Sequence, residues 1–278
     1  EYAFATGDRD ALNKAEICFE RMLQIYHNPT SDPYFVTPKS FAATRAERTL
    51  ALPMVLVSCA QVLRRCDAEK AAYYTNIAGS VIGDIIKYHV KNEWHCVLEN
   101  VLLDGAYIDN PAGRTINPGH SIENAWFMMC QAVYTNDKEL LDICLNILNW
   151  SLKRGWDTEF GGCYYFVDLN NRPCEQLEWD MKLWWVHNEI LIATLMAYCV
   201  TKDETYIHWF EKVHEYAFGH FHDKDQGEWY GYLHRDGTVS HTQKGSMWKG
   251  PFHLPRCLML VDSLFDLLEA NKPIVPIL

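Results

Sequence analysis

Two short stretches of the chain hold residue types suited to moving protons. In NPGHSIENAWF, residues 117–127, His120 is followed three positions later by Glu123. In KGPFHLPRCLML, residues 249–260, His253 is followed three positions later by Arg256. Asn117, Pro118 and Gly119 are turn formers, and Pro255 suits the first turn of a helix. Each stretch therefore reads as a turn that delivers a histidine to a helix start. At such a start the positive end of the helix dipole lowers the pKa of His120 and favours its neutral, basic form. Two neutral imidazoles on opposite sides of a substrate can remove a proton from one face of a carbon and return one to the other. Inverting a carbon next to a carbonyl needs that pair of steps. Glu123 is spaced to orient the His120 ring or to hold a ligand hydroxyl.

A third stretch, QLEWDMKLWWVHNEILIATLMAY, residues 176–198, carries a polar stripe. Glu178, Lys182, Trp185 and Glu189 fall at i, i+4, i+7 and i+11, which predicts one face of one helix. Taken alone, the stripe also reads as a solvent face with Glu–Lys pairing. Likewise, His120 with Ser121 and Glu123 reads as a helix cap, and His253 as a satisfied structural histidine. Adjacent tryptophans at 184 and 185 are unusual on a solvent face, however. A wet central cavity lined by inward polar groups accounts for the tryptophans and the stripe together, and both histidines are expected to face it. Other motifs are weaker. His220-x-His222 beside Asp223 lies in a loop without a further ligand nearby, so no metal site is assigned. NPAGRTINPG is a weak phosphate-contacting signal. Walker A, G-x-G-x-x-G and G-x-S-x-G patterns are absent from the sequence.

The elements that must position these residues are mostly helical. Periodicity predicts helices at about 9–26, 44–65, 68–91, 120–135, 138–154, 176–200, 203–220 and 253–270, with Asp67 and Asp203 marking two starts. Between helices, GWDTEFGGCYYFVDLNNRP and HFHDKDQGEWYGYLHRDGTVS look like one repeated unit. Asp157 and Gly161 in the first match Asp223 and Gly227 in the second at an offset of 66 residues. Each continues into an aromatic strand and a turn, at Asn170-Asn171 or Asp236-Gly237, as a β-hairpin does. A third hairpin is expected over 95–105. The pattern predicts an array of helical hairpins whose long loops gather on one face. No Gly/Ser-rich or Pro-rich linker divides the chain, so residues 1–278 are expected to form one domain.

Composition narrows the partners. Of 278 residues 49% are hydrophobic, enough for a sizeable core, and the formal net charge is −11 with no basic run. That argues against nucleic acid or an anionic membrane surface. The ten cysteines include no C-x-x-C pair and sit mostly in apolar helical contexts, which suggests a reduced, cytoplasmic protein. The sequon Asn149-Trp150-Ser151 falls in a predicted helix and is read as chance. The apolar run Leu50–Ala60 is too short to span a membrane and carries Pro53. The chain begins at Glu1, within predicted helix and without a methionine, so a trimmed or partial chain is expected.

Together, INPGHSIENAWF, GWDTEFGGCYYF, QLEWDMKLWWVHNE, GEWYGYLHRDG and FHLPRCLML resemble the N-acylglucosamine 2-epimerase family, most closely its animal members, along essentially the whole chain. The resemblance implies an all-α fold, an (α/α)6 toroid of helical hairpins with short β-hairpins in the loops. Only about four helical pairs are predicted, so the barrel is expected to be incomplete and to lack an N-terminal third. It further implies interconversion of N-acetylglucosamine and N-acetylmannosamine through the ring-opened sugar. His120 and His253 are then the acid/base pair. Glu123, Lys182, Trp185, Glu189 and Arg256 bind the substrate. No metal or redox cofactor is required, ATP is an effector, and a homodimer is expected. Alternatives are a non-catalytic renin-binding protein, an inactive truncated form, or an aldose–ketose isomerase or disaccharide 2-epimerase on the same scaffold.

Overall fold

A computed structural model describes residues 1–29, 31 and 46–274. Its helices start where short polar side chains can take up free backbone N–H groups. Asp8, Asn117, Asp137 and Asp203 each accept from one or more N–H groups of a following first turn, and Asp67 does the same for a 3-10 turn at Ala68–Lys70. The α-helices are α1 (Tyr2–Thr6), α2 (Arg9–His27), α3 (Ala51–Cys66), α4 (Ala71–Tyr88), α5 (Pro111–Arg114), α6 (Pro118–Thr135), α7 (Lys138–Gly155), α8 (Trp184–Thr201), α9 (Glu204–His220) and α10 (His253–Glu269). The strands are short: β1 (Glu47–Thr49), β2 (Val90–Lys91), β3 (Cys96–Val97), β4 (Asn100–Leu102), β5 (Thr115–Ile116), β6 (Val167–Asp168), β7 (Lys182–Leu183) and β8 (Tyr232–Leu233).

The chain divides into two compact units. The first comprises Glu1–Val90 and Leu98–Gly113. In it α3 packs on α2 and on α4, and Phe19 of α2 meets Tyr74 of α4 edge to face at 5.7 Å. β1 pairs antiparallel with β4.

The second unit comprises Lys91–Val97 and the described residues from Arg114 onward. Its hairpins are α6 with α7 and α8 with α9, and α8 also packs on α6 and on α10. The burial pattern follows from this layering. In α8, 15 of 18 residues are buried, so it is enclosed on all sides, and α6 is nearly so. By contrast α7 and α9 each bury one stripe and carry charges on the other face.

The expected repeat is present. In one loop Gly161 N–H donates to the Asp157 carbonyl, and Asp157 Oδ1 accepts from the Glu159 and Phe160 N–H groups. In the other, Gly227 donates to Asp223, whose Oδ1 accepts from Asp225 and Gln226. Gly161 and Gly227 sit at φ 75° and 71°, a region that suits glycine. The same 66-residue offset separates Asn117–Pro118 from Leu183–Trp184 at the starts of α6 and α8, Asp137 from Asp203 at the caps of α7 and α9, and Glu123 from Glu189.

Three expected boundaries shift. The helix expected over 176–200 begins at Trp184, because β7 pairs with β8 in the register Lys182↔Leu233 and Leu183↔Tyr232, and the Trp184 N–H donates to Gly231 O. Glu178 and Lys182 therefore do not share a helix face with Trp185 and Glu189. The helix expected over 44–65 begins at Ala51, after β1; residues 44 and 45 lie outside the described residues. The hairpin expected over 95–105 is not one, since β4 takes β1 as its partner.

Two buried polar groups tie the first repeated loop to the start of α8. Lys182, fully buried, donates to Asp157 Oδ2 at 2.9 Å and lies 3.8 Å from the centre of the Tyr164 ring, while Arg235 Nε reaches the same Asp157 oxygen at 2.9 Å. Burial opposes the charge on Asp157, but hydrogen bonds from Arg235 and Lys182 hold its carboxyl well below the usual range. His187, also fully buried, has its Nδ1 2.7 Å from Leu183 O and its Nε2 3.0 Å from the Cys163 N–H. Nδ1 is thus the protonated nitrogen and the ring is neutral.

Asp157→Asn would leave Lys182 buried without its anion and should cost about 3–5 kcal/mol in urea denaturation. Asp157→Asn combined with Lys182→Met should recover part of that loss; a double variant no more stable than the single would refute the pairing. Burial lowers the pKa of His187 from 6.5 to about 3. Its folded state resists protonation while the unfolded chain accepts a proton below about pH 6.5. Stability should therefore fall as pH drops from 6.5 towards 3, by up to about 1.4 kcal/mol per unit from this group. Urea midpoints at pH 7 and pH 5 should move further apart in the wild type than in His187→Gln.

Candidate active site

The site is built on the N-terminal halves of three helices in the second unit. α6 brings His120, Glu123 and Trp126, at i, i+3 and i+6 on one face. α8 brings Trp185 and Glu189, at i and i+4, and α10 brings His253 and Arg256, at i and i+3.

Trp185 is the meeting point of the two histidines. The His120 ring lies 5.2 Å from it and the His253 ring 5.6 Å, centre to centre, so both imidazoles pack against one indole. Asn117 caps α6 by accepting from the His120 N–H at 3.1 Å. Gly119, expected as a turn residue, is helical, and its role is steric. A Cβ there would come within 2.7 Å of Trp185 Cη2 and Cζ3 and 2.8 Å of Val186 Cγ2. Only glycine lets the first turn of α6 lie flat on Trp185.

Behind His253 lies Glu189, fully buried. Its Oε1 is 2.7 Å from His253 Nδ1 and accepts from Arg256 at 2.6 Å, and its Oε2 accepts from Trp126 Nε1 at 2.8 Å. The same Arg256 nitrogen donates to Glu123 Oε1 at 2.8 Å. The two carboxyls divide their roles. Burial and the neighbouring Glu189 push the Glu123 carboxyl up. Burial raises Glu189 too, but the Arg256 charge, the hydrogen bond with His253 and the one from Trp126 outweigh it and hold Glu189 below its usual value. Of the two, Glu189 is the one whose charge its neighbours favour. As an acceptor it fixes the proton of neutral His253 on Nδ1, which leaves Nε2 with its lone pair.

Six of the seven expected site residues therefore come together: His120, Glu123, Trp185, Glu189, His253 and Arg256. Lys182 does not join them, because its ammonium is engaged by Asp157. Arg256 bridges the two glutamates. Glu123, Glu189 and His253 are, among the described residues, a group whose ligand atoms lie close enough together to hold a cation. The guanidinium of Arg256 already supplies positive charge to both carboxyls there. At the other metal candidate, Asp223 accepts from Lys244 and from the Tyr230 hydroxyl, and His220 Nδ1 faces Gly237 O. Sequence reasoning missed Trp126 and His187. The i, i+3, i+6 spacing from His120 was the available signal for Trp126, whereas His187 had none beyond its place in an apolar helix.

Comparison with known proteins gives first the class and then the family. The chain superposes on the cellobiose 2-epimerase of Bacillus thermoamylovorans with a TM-score of 0.77 at 18% identity, over 94% of this chain and 68% of that one. Its mostly helical fold is thus that of the (α/α)6 barrel class of helical hairpins. The family model for N-acylglucosamine 2-epimerase matches residues 2–254, and the chain belongs to that family. It is 38% identical over 256 residues to the N-acylglucosamine 2-epimerase of Mus musculus, a match covering 91% of this chain and 61% of the mouse protein. A D-mannose isomerase of Marinomonas mediterranea is 26% identical over 165 residues, 59% of this chain and 40% of that protein. The chain thus spans about three-fifths of the length of the mouse relative.

Gly119→Ala should displace Trp185 and cost about 1–3 kcal/mol, the usual range for overpacking. Urea denaturation and the tryptophan emission spectrum would register it together. An unchanged spectrum at wild-type stability would show that α6 does not rest on Trp185 as described.

Proposed function

We propose that this chain carries the catalytic histidines of a sugar 2-epimerase that interconverts N-acetylglucosamine and N-acetylmannosamine. The observation that carries the proposal is the His253–Glu189 contact at 2.7 Å, with His120 packed on the same Trp185. Family membership supports the choice of substrate.

The ring-opened sugar presents an aldehyde whose neighbouring C2–H is acidic. His253 Nε2, freed as a base by the Nδ1–H bond to Glu189, takes that proton. The electron pair moves into an enediolate-like intermediate, and the other histidine, His120, which must enter this step as the imidazolium, delivers its proton to the opposite face and is left neutral. In the reverse direction the two exchange roles. A proton leaves and a proton returns, so the reaction is redox-neutral and needs no hydride carrier. Burying Glu189 strengthens its hold on an imidazolium at His253 while the proton resides there. Arg256, held between Glu123 and Glu189, fixes both carboxyls, and Trp185 sets the separation of the two rings. ATP as an effector, a homodimer and renin as a partner belong to the same proposal and rest on family likeness alone, while a cytoplasmic setting is proposed from the cysteine pattern.

On a sugar whose C2 carries a hydroxyl, an aldose–ketose isomerase would form the corresponding enediolate but return the proton to C1, and the match to a D-mannose isomerase keeps that outcome in the test. In deuterated solvent, N-acetylmannosamine should acquire deuterium at C2 and N-acetylglucosamine should accumulate. His120→Ala and His253→Ala should each lower the rate about 10²–10⁴-fold. With mannose as the substrate, whose C2 carries a hydroxyl, a ketose product in place of C2 epimerisation would move the assignment to the isomerase. Activity near wild type in either variant would sink the two-histidine mechanism.

A further inference from the structure

Glu189 can serve His253 only if its carboxylate keeps one orientation, and one residue outside the two-histidine scheme does most to fix it. Trp126 is fully buried in α6. Its indole Nε1–H donates to Glu189 Oε2 at 2.8 Å, while both Arg256 and His253 engage Oε1. The three contacts use both oxygens and so lock rotation about the terminal side-chain bond, which is otherwise soft for glutamate. Trp126 also meets the cation that bridges the two glutamates, since the Arg256 guanidinium carbon lies 5.2 Å from the centre of its ring. An indole is donor-only, so it cannot turn to accept from Glu189 and tolerates no other polarity there.

We infer that Trp126 is a positioning residue for the proposed epimerisation: its N–H holds the Glu189 carboxylate so that Oε1 faces His253 Nδ1 and Nε2 stays free as the base. The inference rests on the two-histidine reading. It adds that an indole N–H with no path to the substrate controls the rate. Without that N–H, Oε2 of a buried carboxylate is left unsatisfied. The group can then rotate, and the extra electron density on it binds an imidazolium at His253 more tightly. The base is then held protonated to higher pH, and the proton on neutral His253 is no longer fixed on Nδ1. Partners that orient a functional side chain in this way typically carry about 10–100-fold in activity.

The test replaces Trp126 in the full-length protein with Phe and, separately, with the benzothiophene isostere of tryptophan, which keeps the shape and lacks the N–H. Solvent-deuterium exchange at C2 of N-acetylmannosamine is followed across pH. We expect kcat to fall about 10–100-fold, KM to hold within about twofold, and the acidic limb of the kcat/KM profile to move to higher pH. Nitrogen-15 spectra of labelled histidine should show loss of the single Nδ1–H form at His253 in the isostere, whose thermal melt should match the wild type. If Phe alone unfolds the protein, the isostere decides the question. An isostere with wild-type kcat and an unshifted pH profile overturns the inference. Absence of C2 exchange in the wild-type protein overturns the underlying two-histidine reading instead.

Discussion

A carboxylate with no access to water must find its hydrogen bonds inside the protein, and Glu189 finds them in three side chains from two other helices. Burying such a charge without partners would cost several kcal/mol. The position of α6 and α10 against α8 is therefore constrained by more than apolar packing. Trp126 has to reach one oxygen, and His253 and Arg256 the other. The geometry of the histidine pair follows from satisfying that single anion.

α8 accepts this anion because it is enclosed already. With α6 and α10 on its sides and α9 against it, polar side chains on α8 are either matched or costly. His187 and Glu189, two residues apart, show two solutions. His187 is neutral, is held between Leu183 O and the Cys163 N–H, and stacks on Tyr216 at 5.2 Å. Glu189 keeps its charge because a guanidinium, an imidazole and an indole surround it. The buried Asp157–Lys182 pair sits just upstream, where β7 ends and α8 begins, so the start of this helix is anchored to the first repeated loop by an ion pair as well as by strand pairing.

Much of this was legible in the residues. Helical periodicity and the 66-residue offset pointed to hairpins in series, and both appear. The two histidine-bearing helix starts were also readable, from Asn-Pro-Gly before His120 and Pro255 after His253. Less legible was anything that depended on pairing at a distance. Lys182 fits the helical stripe by spacing, yet a neighbouring strand captures its backbone and Asp157 captures its charge. Periodicity carries no information about either partner. Gly119 read as a turn former because glycine so often is one, whereas its role here is to be small against Trp185. Trp126 was hidden for the opposite reason. An apolar residue on the inner face of a buried helix looks like core, and only the position of its N–H shows otherwise.

The equal spacing of Glu123 and Glu189 has one more consequence. They occupy matching places in successive hairpins, so α6 and α8 alone would present two similar carboxyls to each other across an apolar interface. They become unlike through Trp126, whose N–H reaches Glu189 alone, and through α10, which supplies the guanidinium to both and the imidazole to one. During synthesis α10 emerges after both hairpins are complete. Until it docks, the pair lacks its cation and favours protonated or solvated carboxyls over the native arrangement. The helix that carries His253 is thus also the one that supplies the cation shared by the two buried carboxyls of this unit.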